Sequence, residues 1–304
     1  RQTSQQASID GSLFNDVSVL DVDSESHPAF KQLSKLFTRK GRSEASRFLV
    51  EGATFIRMGP RTVFVRRSKW LEESEEIVNA LLTGGEEGPS AFLDTSPKSW
   101  GGGLLEDSGL AGEVPAICVL SDALFDSLST QEASQGILCV FAMPRQAKTT
   151  WAVGRSAVVL DAVQDSINIG VIMRTMEAFG AKTLVVMKGT VDVYNPKVAR
   201  ASMGAVVRGG IQVLYAKDAQ ELASFLRGYR IFATSLGGNV STSTLQEHMT
   251  GKDAFVFGNE ARGVSEEVKS VADELIRIPI AKEVDSLNVG VSVGIVLHMA
   301  SDLK

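Results

Sequence analysis

The chain has few cysteines and no long apolar run, and each absence narrows the class of protein. Its 304 residues include only Cys118 and Cys139, which lack the paired spacing of a zinc site and lie in apolar surroundings. A chain of this length buries a sufficient core without disulfides, so we expect two buried thiols and a reducing compartment. The longest apolar stretch, 287–300, is interrupted by polar residues and is shorter than the roughly 20 residues that span a bilayer. We therefore expect no transmembrane helix and no membrane partner.

Several sequence signatures of common enzyme classes are also missing. No G-x-G-x-x-G follows the first predicted strand of the C-terminal half, and no G-x-x-x-x-G-K-[ST] occurs, which disfavours dinucleotide-binding and P-loop proteins. The three histidines, His27, His248 and His298, have no metal-ligand spacing, so no metal is expected. There is no G-x-S-x-G elbow for a serine nucleophile.

Charge is distributed unevenly along the chain. The formal net charge is −5, yet residues 27–75 contain 11 Lys and Arg against 5 Asp and Glu. We name the first part of this segment the N-terminal basic block; it consists of Lys31, Lys35, Arg39, Lys40, Arg42 and Arg47. It is followed by Arg57, Arg61, Arg66, Arg67 and Lys69. The block is either a surface that contacts the phosphates of a nucleic acid or a solvated helix face, and charge alone favours neither.

Composition divides the chain into segments. Residues 1–26 are rich in Ser, Gln and Asp and are predicted to form a flexible tail. Residues 27–143 mix helical and strand-like patterns, with strands predicted at 48–50, 63–65 and 137–141, and indicate a small α+β domain. An acidic, glycine-rich insertion is predicted at about 84–113, and a linker at 144–150. The compartment stays open between the cytoplasm, the mitochondrion and the plastid.

Residues 151–304 alternate between apolar strand-like runs and helical segments. Strands are predicted at 157–160, 184–187, 212–214, 231–234, 254–257 and 275–278. Such alternation is typical of an α/β domain with a mostly parallel sheet that is covered on both faces. Ligands of these folds bind beyond the carboxyl ends of the strands, so the loops there are the candidate site.

The segment after the first of these strands predicts a helix with an exposed arginine. Ile169, Ile172, Met173 and Met176 follow the helical spacing, and Asn168 stands where an N-cap is favoured. Arg174 lies well off this apolar face and is available to a ligand or to solvent. Considered alone, Asn168 is equally consistent with a simple cap and Arg174 with an ordinary surface charge.

Two further loops carry polar residues between glycines. In the segment 257–268, Gly258 and Gly263 bracket polar residues, and Ser265 is placed to cap the next helix. In the segment 278–294, Asp285, Ser286 and Asn288 stand at the start of an apolar helix. An ordinary strand-to-helix turn and a buried structural helix are the alternatives at these two places.

Four sequence motifs follow one another in the C-terminal half of the chain. They read N-I-G-V-I-M-R-T, N-P-K-V-A-R-A-S-M-G-A, G-N-E-A-R-G and S-L-N-V. Together with H-P-A-F-K-Q-L-S-K-L-F and S-Q-G-I-L-C-V nearer the N-terminus, the set resembles the SpoU/TrmH family of RNA ribose 2′-O-methyltransferases in the SPOUT superfamily. The resemblance covers most of residues 27–304, without the insertion.

The resemblance implies a fold, a cofactor and an assembly. It implies a C-terminal α/β domain with a trefoil knot and a mostly parallel sheet, preceded by a small α+β RNA-binding domain. It further implies that S-adenosylmethionine is the cofactor and that the protein is a homodimer with active sites near the subunit interface. Its substrate would be RNA, with ribosomal RNA favoured over transfer RNA by the N-terminal domain. The N-terminal basic block would then contact this RNA.

The resemblance also assigns site residues. Arg174 is implied to lie beside the target ribose, with Asn168, Glu260, Ser286 and Asn288 as the other catalytic positions. The residues implied to bind the cofactor are Leu236, Gly237, Gly258, Asn259, Gly263, Ile278, Ile280, Ser286, Leu287 and Asn288. The chain departs from the family pattern at Ala261, where glycine is frequent, and this restricts the backbone of the loop.

Two other functions are compatible with parts of this pattern. A catalytically silent, knotted protein that binds RNA or assists ribosome assembly would keep the fold, although the polar motif residues argue against it. Methylation of a base by another SPOUT enzyme is disfavoured because the motifs of those enzymes differ. Binding of S-adenosylmethionine distinguishes the first alternative from an active enzyme.

Overall fold

The computed structural model of the protein describes residues 17–60, 62–84, 116–129, 131, 133–144 and 151–301. The chain divides into two compact units, Arg1–Met143 and Pro144–Lys304. Most of the predicted insertion and linker, together with residues 1–16 and Arg61, lies outside the described residues.

The N-terminal unit is a five-stranded sheet with helices. Its strands occur in the order β1-β4-β3-β5-β2; β1, β4 and β3 are parallel, and β5 is antiparallel to both β3 and β2. A 3₁₀ helix occupies Ala53–Met58. The other elements are β1 Ser18–Val22, α1 Pro28–Lys35, α2 Arg39–Ala45, β2 Arg47–Glu51, β3 Thr62–Arg66, α3 Arg67–Thr83, β4 Ala116–Leu120, α4 Asp122–Leu128 and β5 Ile137–Ala142.

Apolar residues of α1, α4 and the sheet form the core of this unit. Phe30, Leu33, Phe64 and Phe125 belong to one buried cluster, which also contains Cys118. Burial raises the pKa of the Cys118 thiol to about 12, as expected for a thiol that packs as a small apolar side chain. Both cysteines are free and buried.

Strand β1 corrects the prediction of a flexible tail. Residues 18–22 pair in parallel with β4, and Val22 is fully buried in the core. Residues 18–22 alternate between exposed and more buried positions, as in a half-buried edge strand. The tail prediction is therefore wrong for these residues, because the acidic composition around them concealed a strand of five residues.

The C-terminal unit is a seven-stranded sheet in which every pair of neighbouring strands is parallel. The strand order is β10-β12-β9-β11-β6-β7-β8. A 3₁₀ helix occupies Thr242–Thr244. The other elements are β6 Ser156–Asp161, α5 Ser166–Ala178, β7 Thr183–Met187, α6 Pro196–Ala201, α7 Ala205–Arg208, β8 Gln212–Ala216, α8 Ala219–Phe225, β9 Arg230–Thr234, β10 Val240–Ser241, α9 Leu245–His248, β11 Asp253–Gly258, α10 Glu266–Lys269, β12 Glu274–Arg277 and α11 Val289–Ala300.

The parallel α/β architecture confirms the predicted fold class of this half. All six predicted strands are present, and the two-residue β10 was missed. Strands β6, β7 and β11 are buried almost throughout, as expected for a sheet with both faces covered. Leu222 and Leu226 in and just after α8 pack with Val268 of α10 on alternate residues of the strands. In the part of the chain that is described, no helix is long and apolar enough to cross a membrane.

Helix α5 begins earlier than the sequence predicts. The N-cap is Asp165, whose carboxylate accepts hydrogen bonds from the backbone N–H groups of Ile167 at 2.7 Å and Asn168 at 3.4 Å. The prediction that Asn168 is the N-cap is therefore wrong. Because Asp165 satisfies the helix terminus, the amide of Asn168 is left for other partners. The predicted apolar face is confirmed: Ile169, Ile172, Met173 and Met176 are buried.

Candidate active site

A pocket of about 520 Å³ lies at the carboxyl ends of β9, β11 and β12. Its volume falls within the range of about 300–1,000 Å³ that is usual for small-molecule sites. Three loops line it, and they include most of the residues predicted to bind a cofactor. These are Leu236, Gly258, Asn259, Gly263, Ile278, Ile280, Ser286 and Leu287, together with Glu260. Gly237 is not part of the lining, and Asn288 lies between the lining residues Leu287 and Val289.

The loop after β11 is closed on itself. The backbone N–H of Asn259 donates to the carbonyl oxygen of Gly263 at 3.0 Å, and that of Gly263 donates back at 2.8 Å. The side-chain oxygen of Asn259 accepts from the N–H groups of Ala261 and Arg262 at 3.0 and 3.2 Å. A Cβ on Gly258 would overlap the backbone of Gly263 and Val264, so this close return of the chain requires glycine.

The same loop is tied to the end of β6. Asn259 Nδ2 donates to the carbonyl oxygen of Ala162 at 2.9 Å, and the backbone N–H of Ser265 donates to the buried carboxylate of Asp161 at 2.7 Å. Ala162 has a left-handed φ of 57°, an uncommon conformation for a residue with a Cβ. Ser265 also caps α10 by accepting from the N–H of Val268, which confirms its predicted role.

Three predicted catalytic residues meet beside the pocket in one chain of hydrogen bonds. Asn288 Nδ2 donates to Asn168 Oδ1 at 2.9 Å, and Asn168 Nδ2 donates to Glu260 Oε1 at 3.3 Å. Asn288 is also the N-cap of α11, where its Oδ1 accepts from the N–H groups of Gly290 and Val291. The buried Asn168 thereby connects the loop after β11 to the start of α11.

Arg174 does not take part in this chain of hydrogen bonds. It lies on α5 with an exposed side chain, and it forms no ion pair or hydrogen bond with any residue that the structure describes. It is also absent from the pocket lining. Within one copy of the chain, the predicted catalytic residues therefore do not all meet. Asn168, Glu260 and Asn288 lie beside the pocket, and the guanidinium of Arg174 lies apart from them.

Several lining residues were not among the predicted site residues. Thr234 and Ser235 stand at and just after the last residue of β9, and Lys269 reaches the pocket from α10, whereas Phe257 belongs to the segment 257–268 that the sequence indicated. The rule that ligands bind at the carboxyl ends of parallel strands indicated the strand-end residues. No signal in the sequence indicated Lys269. In the described ranges, no group of three His, Cys, Asp or Glu side chains is arranged to hold a metal ion.

The N-terminal basic block is divided by the structure. Lys31, Lys35, Arg39 and Lys40 are exposed on α1 and α2, and Arg47 is partly buried. Lys40 lies 3.8 Å from Glu44 in an exposed ion pair. Arg42, in contrast, is 2 % exposed, and its Nη1 donates to the carbonyl oxygen of Leu36 at 2.8 Å. The prediction that Arg42 contacts RNA is wrong because its guanidinium is bound inside the unit.

Three of the basic residues that follow the block pair with carboxylates of the same unit. Arg66 pairs with Asp126, and Lys69 pairs with Glu73. Arg67 binds Asp21 and Asp23 at 3.1 and 2.6 Å. Arg57 is exposed. The phosphate-contacting surface that charge alone allowed is thus smaller than the number of cations indicates.

The chain is similar in sequence to a known protein family and to several named relatives. Residues 155–298 match the model of the SpoU rRNA Methylase family. The chain is 25% identical over 282 residues to the 23S rRNA (guanosine(2553)-2′-O)-methyltransferase RlmP of Bacillus subtilis, covering 91% of this chain and 97% of that protein. It is 29% identical over 183 residues to the 23S rRNA (guanosine-2′-O-)-methyltransferase RlmB of Xanthomonas axonopodis, covering 58% and 73% respectively.

A solved structure shares the fold of nearly the whole chain. The SpoU methyltransferase AviRb from Streptomyces viridochromogenes, in complex with the cofactor AdoMet, superposes with a TM-score of 0.69. The superposition covers 90% of this chain and 97% of that one, at 21% sequence identity. At this identity the likeness concerns the fold.

Proposed function

Because residues 155–298 match the model of the SpoU rRNA Methylase family, we propose that the chain is a member of this family and methylates a ribose 2′-hydroxyl of ribosomal RNA with S-adenosylmethionine as methyl donor. The observation that carries the proposal is the hydrogen-bonded chain Asn288–Asn168–Glu260 beside a pocket at the carboxyl ends of parallel strands. It brings residues from three of the family-like motifs together at the place where this fold binds ligands.

The pocket suits S-adenosylmethionine in size and in the chemistry of its walls. Leu236, Ile278, Ile280 and Leu287 offer apolar contact for a planar base, and Thr234, Ser235 and Asn259 offer polar groups. The tight return at Gly258 brings the backbone of Gly263 and Val264 against the end of β11, and all three residues line the pocket. When bound, S-adenosylmethionine supplies an electrophilic methyl group.

Arg174 is the leading group for acting on the ribose. A ribose hydroxyl is a weak nucleophile and must lose its proton as it attacks, so the site needs alignment and electrostatic help. A guanidinium stays protonated at all relevant pH values; it therefore orients the neighbouring phosphate or stabilises the developing alkoxide instead of serving as a base. Because Arg174 has no partner among the residues that the structure describes, its donors are available for this contact.

A second copy of the chain would bring Arg174 to a pocket. Ile167, Val171 and Val291 are 62%, 41% and 51% exposed, and α5 adjoins α11 where Val171 approaches Gly290. Ile167 and Val171 lie on the same face of α5 as Arg174, and with Val291 of the neighbouring α11 they form an apolar strip. We infer that the strip packs against a second copy, so that Arg174 of one chain serves the pocket of the other. The trefoil knot remains a prediction from the family resemblance.

Ribosomal RNA is favoured as the substrate because both named relatives act on 23S rRNA. Transfer RNA remains the second candidate. Lys31, Lys35, Arg39 and Lys40 of the N-terminal unit are the exposed cations that are best placed to recruit it. The comparisons give no support to a catalytically silent protein.

The proposal is tested with purified protein, methyl-labelled S-adenosylmethionine and total RNA from cells that lack the enzyme. The RNA is separated by size and digested for nucleoside mass spectrometry. We expect label in a 2′-O-methylnucleoside of the large ribosomal RNA. Label in a methylated base would contradict the proposed reaction, and label in transfer RNA would change the substrate. Binding of the cofactor without any label on RNA would favour the silent alternative.

A further inference from the structure

The segment 195–208 holds an exposed methionine in a conformation that methionine rarely adopts. Met203 follows α6 with φ of 48°, and its side chain is 51% exposed. A left-handed backbone costs free energy at any residue with a Cβ, so the surrounding structure must hold it in place. An exposed apolar side chain on such a turn needs an explanation other than packing within its own unit.

Several contacts fix this turn. Ser202, which is fully buried, donates through Oγ to the carbonyl oxygen of Ala199 at 2.7 Å. Arg208 donates through Nη2 to the carbonyl oxygen of Met203 at 3.2 Å. Glu177 of α5 holds Arg208 with two charge-assisted hydrogen bonds, of 2.7 and 2.6 Å. The exposed position of Met203 is therefore built into the fold.

The turn is also joined to the helix that carries Arg174. Gly170 of α5 faces α6 so closely that a Cβ would overlap that of Ala201 and lie 2.8 Å from the carbonyl oxygen of Val198. Arg174 lies one helical turn after Gly170, and Glu177 lies one turn further. A ligand group bound on α6 would consequently be positioned relative to Arg174 by direct backbone packing.

Two exposed cations accompany Met203 on this segment. Lys197 and Arg200 of α6 are exposed and make no side-chain hydrogen bond or ion pair within the described ranges. Unpaired cations beside an apolar side chain match a single-stranded nucleic acid, in which phosphates alternate with exposed base faces. They suit a second copy of the chain poorly, because its symmetric contact would bring like charges together.

We propose that Lys197, Arg200 and Met203 form an RNA-binding surface that holds the nucleotides next to the target ribose. Lys197 and Arg200 contact phosphates, and Met203 packs against an unstacked base. The inference rests on the proposed function, since it deepens the substrate contact of the same site. Asn195 supports the surface by capping α6 through a hydrogen bond from the N–H of Lys197 at 2.9 Å.

The test compares salt dependence in full-length variants, with in vitro transcribed, unmodified 23S rRNA as the probe. In Lys197→Ala/Arg200→Ala we expect a tenfold or greater loss of affinity and a slope of log K against log salt that is shallower by roughly 1.4, about 0.7 for each lost contact to single-stranded phosphate. In Met203→Ala we expect a loss of about two- to tenfold with an unchanged slope, because the contact carries no charge. Cofactor affinity should not change in either variant.

Lys217→Ala/Arg227→Ala is the matched control. It also removes two exposed cations from this unit, but these flank α8, whose apolar residues pack with those of α10. We expect wild-type affinity and slope. Equal losses in this control would overturn the proposed surface, because they would show a nonspecific charge effect.

Two further results would also overturn the inference. One is wild-type affinity and slope in Lys197→Ala/Arg200→Ala while the wild-type enzyme methylates the RNA. The other is a change of oligomeric state in Met203→Ala, by sedimentation, with unchanged RNA affinity, which would assign the surface to a second copy. Failure of the proposed function itself appears differently, as absence of methyl transfer by the wild-type protein.

Discussion

The two units of the chain use their cations in different ways. In the N-terminal unit, Arg42 is buried, and Arg66, Arg67 and Lys69 are bound to carboxylates. Part of the positive charge in the sequence of this unit is therefore engaged in hydrogen bonds and ion pairs within the unit. It follows that burial and pairing decide which cations can contact a ligand, and the number of cations in the sequence does not.

The C-terminal unit also pairs some of its cations, such as Arg208 with Glu177 and Lys269 with Glu266, but it leaves others exposed. Lys and Arg there are balanced by Asp and Glu, yet Arg174, Lys197 and Arg200 are exposed and have no partner among the described residues. Isolated cations of this kind keep their donors free for phosphate or for a developing negative charge. Net composition therefore does not predict which unit offers exposed cations to a ligand, since Lys31, Lys35 and Arg39 of the N-terminal unit are exposed as well.

Removal of the Arg174 side chain tests the role of the exposed cations most directly and is expected to have the largest effect. In Arg174→Ala, methyl transfer should fall by about 10²–10³-fold, as for loss of one group that stabilises a transition state. S-adenosylmethionine affinity, measured by calorimetry, should stay within about twofold, since Arg174 does not line the pocket. Arg227→Ala is the control for loss of an exposed arginine. Turnover near that of the wild type would remove Arg174 from the mechanism.

The next variant tests the hydrogen-bonded chain at the pocket. In Asn168→Ala, Glu260 and Asn288 each lose a partner, and the free energy of unfolding should decrease by about 1–3 kcal/mol. S-adenosylmethionine binding should weaken together with it, because both loops that lose the contact line or flank the pocket. Asn239→Ala changes an exposed asparagine in the same unit and should have no effect. An unchanged stability and cofactor affinity would show that the three residues act independently.

Arg42→Ala tests whether the buried cation of the N-terminal unit stabilises the fold and does not bind RNA. Arg42→Ala leaves the carbonyl oxygen of Leu36 without this donor, so denaturant unfolding should show a loss of about 1–3 kcal/mol. RNA affinity of the folded variant should match the wild type. Arg39→Ala, at an exposed position of the same helix, should change stability by less than about 0.5 kcal/mol. Weaker RNA binding by folded Arg42→Ala at unchanged stability would restore its predicted role.

Charge reversal at the exposed part of the N-terminal basic block has the smallest expected effect. Lys35→Glu/Arg39→Glu/Lys40→Glu should weaken RNA binding and reduce its salt dependence, with little change in unfolding free energy. Filter binding at several salt concentrations measures both quantities. If affinity and salt slope both equal those of the wild type, the block is a solvated helix face.

Periodicity was sufficient to predict most of the parallel sheet, but it did not predict features that depend on distant partners. The six apolar runs of the C-terminal half identified its six longer strands. Strand β1 was missed because its pairing with β4, almost a hundred residues away, outweighs a polar local composition. The burial of Arg42 depends in the same way on the fold of α1 and α2 around its guanidinium.

The sequence predicted which residues belong to the site but did not predict how they are arranged. The motifs indicated Asn168, Glu260 and Asn288, and the structure shows that they are hydrogen-bonded to one another. Asn168 had been expected to cap α5, and Asp165, three residues earlier, takes this role because its carboxylate reaches the free N–H groups. Lys269 and the fixed turn at Met203 depend on tertiary contacts that no local pattern in the sequence reports.

The most direct test of the central claim removes the acceptor atom from the RNA. Once the modified nucleotide is located, an RNA with a single 2′-deoxy substitution at that position is compared with the all-ribose RNA in the labelled methyl-transfer assay. We expect transfer to the deoxy RNA to be abolished, while the affinities of the protein for the two RNAs stay within a fewfold of each other. Continued labelling of the deoxy RNA at that nucleotide would show that the methyl group goes to the base and would contradict methylation of the ribose.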